Sequence, residues 1–127
     1  QYGIEADVRF LGKQEQMEDI LAVSDLFLLP SEYESFGLAA LEAMASSVAV
    51  VSSNAGGLGE INIDGKTGYT ANVGDVATMS ERAIELLKDD AKLKIFKHNA
   101  LEQAKLFDEY TYKQVSRTYT ALKFITQ

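Results

Sequence analysis

Short continuous apolar runs and helically spaced apolar positions take turns along this chain. Leu26-Phe27-Leu28-Leu29 and Val48-Ala49-Val50-Val51 are runs of the kind expected for strands covered on both faces in a parallel sheet. Pro30 stops the first. Val8-Arg9-Phe10-Leu11, closed by Gly12, predicts another short strand, and Tyr69-Thr70-Ala71 a last one. Between the runs, Met17, Ile20 and Leu21 recur at helical spacing with Glu15, Glu18 and Asp19 outside them. The stretch from Gly37 to Ser47 is rich in Ala, Leu, Glu and Met, which are strong helix formers. Asp75 predicts a helix cap, with Val76, Met79, Ala83, Leu86 and Leu87 on one face. Two more stripes follow, Leu93, Phe96, Ala100, Leu101 and Ala104, then Tyr112, Val115, Tyr119 and Leu122. Asn54, Gly56, Gly57 and Gly59, then Asp64-Gly65 and Thr67-Gly68, signal turns that leave room only for a short element around Leu58 to Ile63. Strands alternating with helices at this pace predict crossover units: a three-layer, Rossmann-like α/β fold with a parallel sheet and trailing C-terminal helices.

Composition narrows this picture without changing it. The 127 residues are 46% hydrophobic and 24% charged, which suits one globular domain over residues 1–127. A chain of this length buries roughly two-thirds of its unfolded surface and needs no disulfide or metal staple. It has no cysteine, which removes thiol catalysis and zinc clusters and favours a reducing, cytoplasmic setting. Twelve basic against nineteen acidic residues give a net charge of −7, and the scattered Lys and Arg argue against nucleic acid as a partner. No apolar run approaches the ~20 residues needed to span a bilayer, and no charged-then-apolar leader opens the chain. An opening at Gln1, without an initiator Met, reads as a piece of a longer protein.

The informative stretch is Pro30-Ser31-Glu32-Tyr33-Glu34-Ser35-Phe36-Gly37-Leu38, which joins a strand to a helix. In open parallel sheets, ligands bind outside the carboxyl ends of strands. Phe36, Gly37 and Leu38 would present backbone N–H groups at the helix start, where phosphate oxygens are favoured, and Gly37 permits close approach. Glu34 falls in the loop and Glu42 about one and a half turns into the helix. Neither carboxylate suits a pyrophosphate, because like charges repel; both suit the hydroxyls of sugars. The pattern therefore fits a nucleotide-sugar, with amides for phosphate and carboxylates for the sugars.

Glu34 and Glu42, set within Pro-Ser-Glu-Tyr-Glu-Ser-Phe-Gly-Leu-Ala-Ala-Leu-Glu-Ala-Met, resemble the paired-glutamate motif of retaining glycosyltransferases of family 4, which have the GT-B fold. Val8 to Gly12, Ser24-Asp25-Leu26-Phe27, Gly56-Gly57-Leu58-Gly59-Glu60, Asp64 to Tyr69 and Val73-Gly74-Asp75 extend the resemblance over roughly residues 8 to 90. Within the family the chain is most similar to N-acetylglucosaminyl-malate synthases of bacillithiol biosynthesis. The resemblance implies a donor-binding part of a metal-independent enzyme that moves N-acetylglucosamine or another hexose, with retention, from a UDP-sugar to an acceptor such as malate. It places Glu34 at the donor sugar as the catalytic position, Ser35, Phe36, Gly37 and Leu38 around diphosphate and sugar, Glu42 on the ribose, and Gly12 and Lys13 near the base. No cofactor is expected. It also implies that the domain is incomplete at its N-terminal side, lacking the acceptor-binding domain and a strand whose Arg and Lys neutralise the diphosphate, so that the fragment folds without catalysing. Peripheral membrane association and the oligomeric state of the full-length protein stay open.

The chain departs from the family where Gly and Pro are common at Ser47 and Ala49, and Pro at Gly59. A helix end favours Gly in the left-handed conformation, so Ser47 is expected to cost about 1 kcal/mol or to shift the cap. Gly56 and Gly57 read first as a tight turn and second as a ligand cradle. Glu60 reads equally as a cap for the short helix or as a donor contact. Gly65-Lys66-Thr67 is not a phosphate loop, because Glu60 stands where that motif needs glycine. Asp89-Asp90 reads as solvated charge, His98 as surface, and Tyr112, Tyr119 and Phe124 as packing aromatics that would promote self-association if left uncovered. The alternative to an enzyme is a catalytically inactive, glycosyltransferase-like nucleotide-binding or scaffold module.

Overall fold

The computed structural model describes residues 2–107. Three parallel strands, β1 (Leu26–Leu29), β2 (Ala49–Ser53) and β3 (Gly68–Ala71), lie side by side in sequence order. Leu26 pairs with Ala49 in the first ladder, and Val50 with Gly68 in the second. Parallel neighbours need crossovers, and these are α2 (Leu38–Ala45) and the single turn α3 (Leu58–Ile61). The remaining helices are α1 (Met17–Ala22), α4 (Val76–Lys88) and α5 (Asp90–Lys105). Among the described residues no helix is long and apolar enough to cross a membrane.

The alternation of the central strand builds two cores. Val48 and Val50 pack with Leu21, Met44, Leu58, Ile61 and Ala100 on one face, while Ala49 and Val51 pack with Tyr69, Met79, Leu86, Leu93 and Phe96 on the other. Every residue of β2 is buried. The fold is therefore the expected three-layer α/β sandwich, with α5 contributing to both cores.

Three expectations from the apolar pattern are corrected. Val8 to Leu11 is not a strand: no described strand pairs with it, and Phe10 stays 97% exposed. An apolar run without a ladder partner has no reason to hold strand geometry. β1 is not covered on both faces; it is an edge strand, paired only with β2 among the described residues, and Leu28 is 54% exposed. In α4 the buried stripe is Met79, Ala83 and Leu86, whereas Val76 and Leu87 are 69% and 52% exposed. Val76 begins the helix, and Leu87 sits about 100° round the helix from Leu86. The stripe Tyr112 to Leu122 lies outside the described residues, as does Phe124.

Local chemistry sets the helix ends. Asp75 caps α4 as expected, accepting from the Thr78 N–H at 3.1 Å and the Thr78 hydroxyl at 2.8 Å. Asp89 is exposed, as the reading of solvated charge expects, and also caps α5 by accepting from the Lys92 N–H at 3.0 Å. Ser47 ends α2 with φ 60°, the only positive φ outside glycine among the described residues. The Val48 N–H reaches the Ala43 carbonyl and the Ser47 N–H the Met44 carbonyl, both at 3.0 Å, which is the bond pair of a Schellman ending. Asn62, fully buried, donates to the Val50 and Tyr69 carbonyls and to Ser52 Oγ, and accepts from Thr67 Oγ1. This side chain ties β2 to β3 at the point where α3 leaves too few residues for a longer crossover.

Candidate functional site

The loop from Ser31 to Gly37 carries the chain off the carboxyl end of β1 and into α2. Gly37 is the N-cap of α2 and holds φ 69°, a left-handed conformation that only glycine adopts without strain. The site is also crowded: a Cβ there would meet Ile61 Cδ1 at 2.9 Å and Leu58 Cδ2 at 3.1 Å. Glycine thus lets the chain turn hard over α3 and start the helix immediately. No side chain caps this end. The first-turn N–H groups of a helix have no intrahelical acceptor and carry partial positive charge, so they are left for an anion from outside. Ser35 and Phe36 are exposed and Leu38 is half-buried.

Glu34 is half-buried in this loop and accepts through Oε2 from the Ser31 hydroxyl at 3.2 Å. Ser31 is held in turn: its carbonyl accepts from the buried Ser53 hydroxyl at 2.6 Å. Beneath the loop, a Cβ on Gly56 would fall 1.5 Å from the Glu34 carbonyl oxygen, and one on Gly57 would fall 3.2 Å from that of Ser35. Gly56 and Gly57 form the turn expected of them, and they are also the floor on which the Glu34 loop rests. Glu60 does not cap α3, because no side chain bonds that helix end and Glu60 is itself exposed.

Glu42 projects from α2 into a cleft of about 390 Å³ lined by Glu15, Met17, Glu18, Leu21, Glu42, Ala45 and Ser46. This volume is in the range of small-ligand pockets. The Glu42 side chain keeps substantial contact with water, yet partial desolvation at the wall of the cleft pushes its carboxyl above the usual carboxylate range, and the charge of Glu18 adds to the rise. Glu34 does not line this cleft, and neither do Gly12 or Lys13. Those two sit in the exposed segment before α1, where Gly12 turns with φ 67°. Among the described residues no three His, Cys, Asp or Glu side chains converge as metal ligands.

Sequence reasoning singled out the two glutamates and the Phe36-Gly37-Leu38 helix start, because they lie in one continuous stretch. It missed Ser31, Ser53, Glu15 and Glu18. The one local signal for the serines was a pair of hydroxyl residues, Ser52-Ser53, ending a fully buried strand, since buried polar groups require partners.

Residues 1–103 match the family model described as glycosyl transferases group 1. The chain is 39% identical over 121 residues to N-acetyl-alpha-D-glucosaminyl L-malate synthase of Bacillus anthracis, a match covering 95% of this chain and 31% of that protein. It is 34% identical over 123 residues to D-inositol 3-phosphate glycosyltransferase of Corynebacterium urealyticum, covering 94% of this chain and 29% of the relative. Among solved structures, HepE of Anabaena in complex with UDP superposes with a TM-score of 0.81 at 28% identity, over 94% of this chain and 34% of that one. The chain thus spans about a third of the length of these proteins, and its layering is the Rossmann-like arrangement of GT-B neighbours.

Proposed function

We propose, for a chain that belongs to the glycosyl transferases group 1 family, that it is the donor-binding part of a metal-independent retaining glycosyltransferase. In this reading N-acetylglucosamine, or another hexose, moves from a UDP-sugar to an acceptor such as malate, held by a domain outside this chain. The observation that carries it is the uncapped α2 start at the carboxyl end of β1, with Glu34 in the loop before it and Glu42 further along the same helix at the cleft. A solved relative bound to UDP and to UDP-glucose, similar over 94% of this chain, supports the choice of donor.

The chemistry follows from the residue types. Amides of Phe36, Gly37 and Leu38, with Ser35 beside them, accept the negative charge of the diphosphate, which grows on the leaving oxygen as the glycosidic bond breaks. Fixed dipoles aimed at developing charge are commonly the largest catalytic contribution. Glu34 is the catalytic carboxylate of this reading, accepting from a donor-sugar hydroxyl and facing the positive charge that develops at the anomeric carbon. Glu42 accepts from the ribose diol, and Gly12 and Lys13 lie toward the base. The 127-residue chain alone is then expected to bind weakly and not to catalyse. A cytoplasmic setting belongs to the same proposal and rests on the cysteine-free composition.

Sugar transfer by the full-length protein tests this reading. Glu34→Gln is expected to lower kcat at least about a hundredfold, and Glu42→Ala to act mainly on the KM for the donor. Transfer unchanged by both substitutions would overturn the roles given to Glu34 and Glu42, and no transfer by the unsubstituted full-length protein would favour the scaffold module instead.

A further inference from the structure

We infer that Ser31 and Ser53 are positioning residues for Glu34, forming a hydroxyl relay anchored on β2 that sets which carboxylate oxygen faces the donor sugar. The inference rests on the donor-site reading of Glu34 given above and extends it to residues that touch no donor atom.

Each link in the relay has a fixed direction. The Ala55 N–H donates to Ser53 Oγ at 3.4 Å, the Ser53 hydroxyl donates to the Ser31 carbonyl at 2.6 Å, and the Ser31 hydroxyl donates to Glu34 Oε2 at 3.2 Å. Ser53 is only 1% exposed, so water does not compete for its hydroxyl, and both its donor and acceptor roles are filled. It belongs to β2, the central and most buried strand, which makes it a rigid anchor for a loop 22 residues away in sequence. Gly56 closes the other side, since anything larger would strike the Glu34 carbonyl. An ionised carboxylate has about four lone-pair directions and no donor. Ser31 occupies one of them on Oε2, which leaves Oε1 to accept from a sugar hydroxyl. A purely structural use of these serines would need only the Ser53 to Ser31 bond; the Ser31 to Glu34 bond adds nothing to the fold that solvent could not supply to a half-exposed carboxylate.

The test compares calorimetric affinities of the full-length protein for UDP and for UDP-N-acetylglucosamine, so that the ratio isolates the sugar. Ser31→Ala is expected to reduce the affinity for the sugar nucleotide about fivefold to tenfold while leaving UDP within twofold, and Ser31→Thr to restore the ratio. Ser53→Ala is expected to shift the ratio in the same direction. The Ser31→Ala/Ser53→Ala double variant is expected to be no worse in that ratio than Ser31→Ala alone, because both act through one relay. Equal losses for both ligands, or none, in Ser31→Ala would overturn the relay. Glu34→Gln separates the two levels: if it shifts the ratio and Ser31→Ala does not, the relay alone fails, and if Glu34→Gln leaves the ratio unchanged, the donor-site reading fails with it.

Discussion

Ser47, just beyond α2, and Glu42 within it each lower stability at neutral pH, one through backbone strain and the other through desolvated charge. Ser47 holds a left-handed conformation at φ 60° while completing a Schellman ending, so Ser47→Gly is expected to stabilise the fold by about 1 kcal/mol. The check is an increased midpoint in urea with an unchanged slope. Glu42 is held above the usual carboxylate range by desolvation and by Glu18, so the native state keeps its proton more tightly than the unfolded chain. Stability from this group is present at low pH and falls as pH rises from the ordinary carboxylate value to the raised one. Asp75 behaves in the opposite sense: its bonds to Thr78 lower its pKa, and the stability it adds is lost as pH falls through that lowered value. Thermal melts across the acid range are expected to show Glu42→Gln removing the loss on the rising side and Asp75→Asn removing the loss on the falling side. At the residue scale the sequence exposed Glu34, Gly37 and Glu42 together, since one loop and one helix carry them. Ser53 escaped because its partner Ser31 is 22 positions away, and only the folded sheet brings the two together.

Two contacts decide how the elements meet. Gly56 lies under the Glu34 carbonyl with no space for a methyl group, so Gly56→Ala forces the loop between β1 and α2 to move. Overpacking of this kind costs about 1–3 kcal/mol, and the displaced loop is expected to lower sugar transfer more than the loss of stability accounts for; kcat measured well below the variant's melting temperature checks this. Asn62 joins β2, β3 and Thr67 in a fully satisfied buried network. Asn62→Ala takes one bond from each of those partners, Thr67 keeping its bonds to Ile63, and is expected to destabilise by about 2–4 kcal/mol, measured as a shift of the denaturation midpoint. The elements themselves were largely legible, because runs such as Val48-Ala49-Val50-Val51 and caps such as Asp75 act locally. The strand expected at Val8 to Leu11 failed for a non-local reason: strand geometry needs a neighbour, and apolar character does not say whether one is there. The same reason turned β1 into a half-exposed edge.

At the scale of the whole molecule, burial is uneven. The two cores draw mainly on β2, β3 and the four later helices, with Leu21 the only buried residue before Gly37 among the described residues, while Tyr2, Ile4, Val8, Phe10 and Leu11 are all exposed. Among the described residues, hydrogen exchange is therefore expected to be fastest over residues 2–16 and slowest in β2, since local opening follows the number of buried contacts; strong protection at Phe10 would contradict the packing described. The overall layering could be anticipated from alternating periods, whereas the asymmetry could not, because exposure depends on what each face meets. The central claim is that one surface, from the end of β1 to the cleft beside Glu42, holds a nucleotide-sugar. Amide chemical shifts of the isotope-labelled full-length protein, followed during titration with UDP and UDP-N-acetylglucosamine, test it most directly. The account predicts shifts clustered on Gly12, Phe36, Gly37, Leu38 and Glu42 that are lost in Glu42→Ala. Shifts absent from these amides at millimolar ligand, or unchanged in Glu42→Ala, would contradict it.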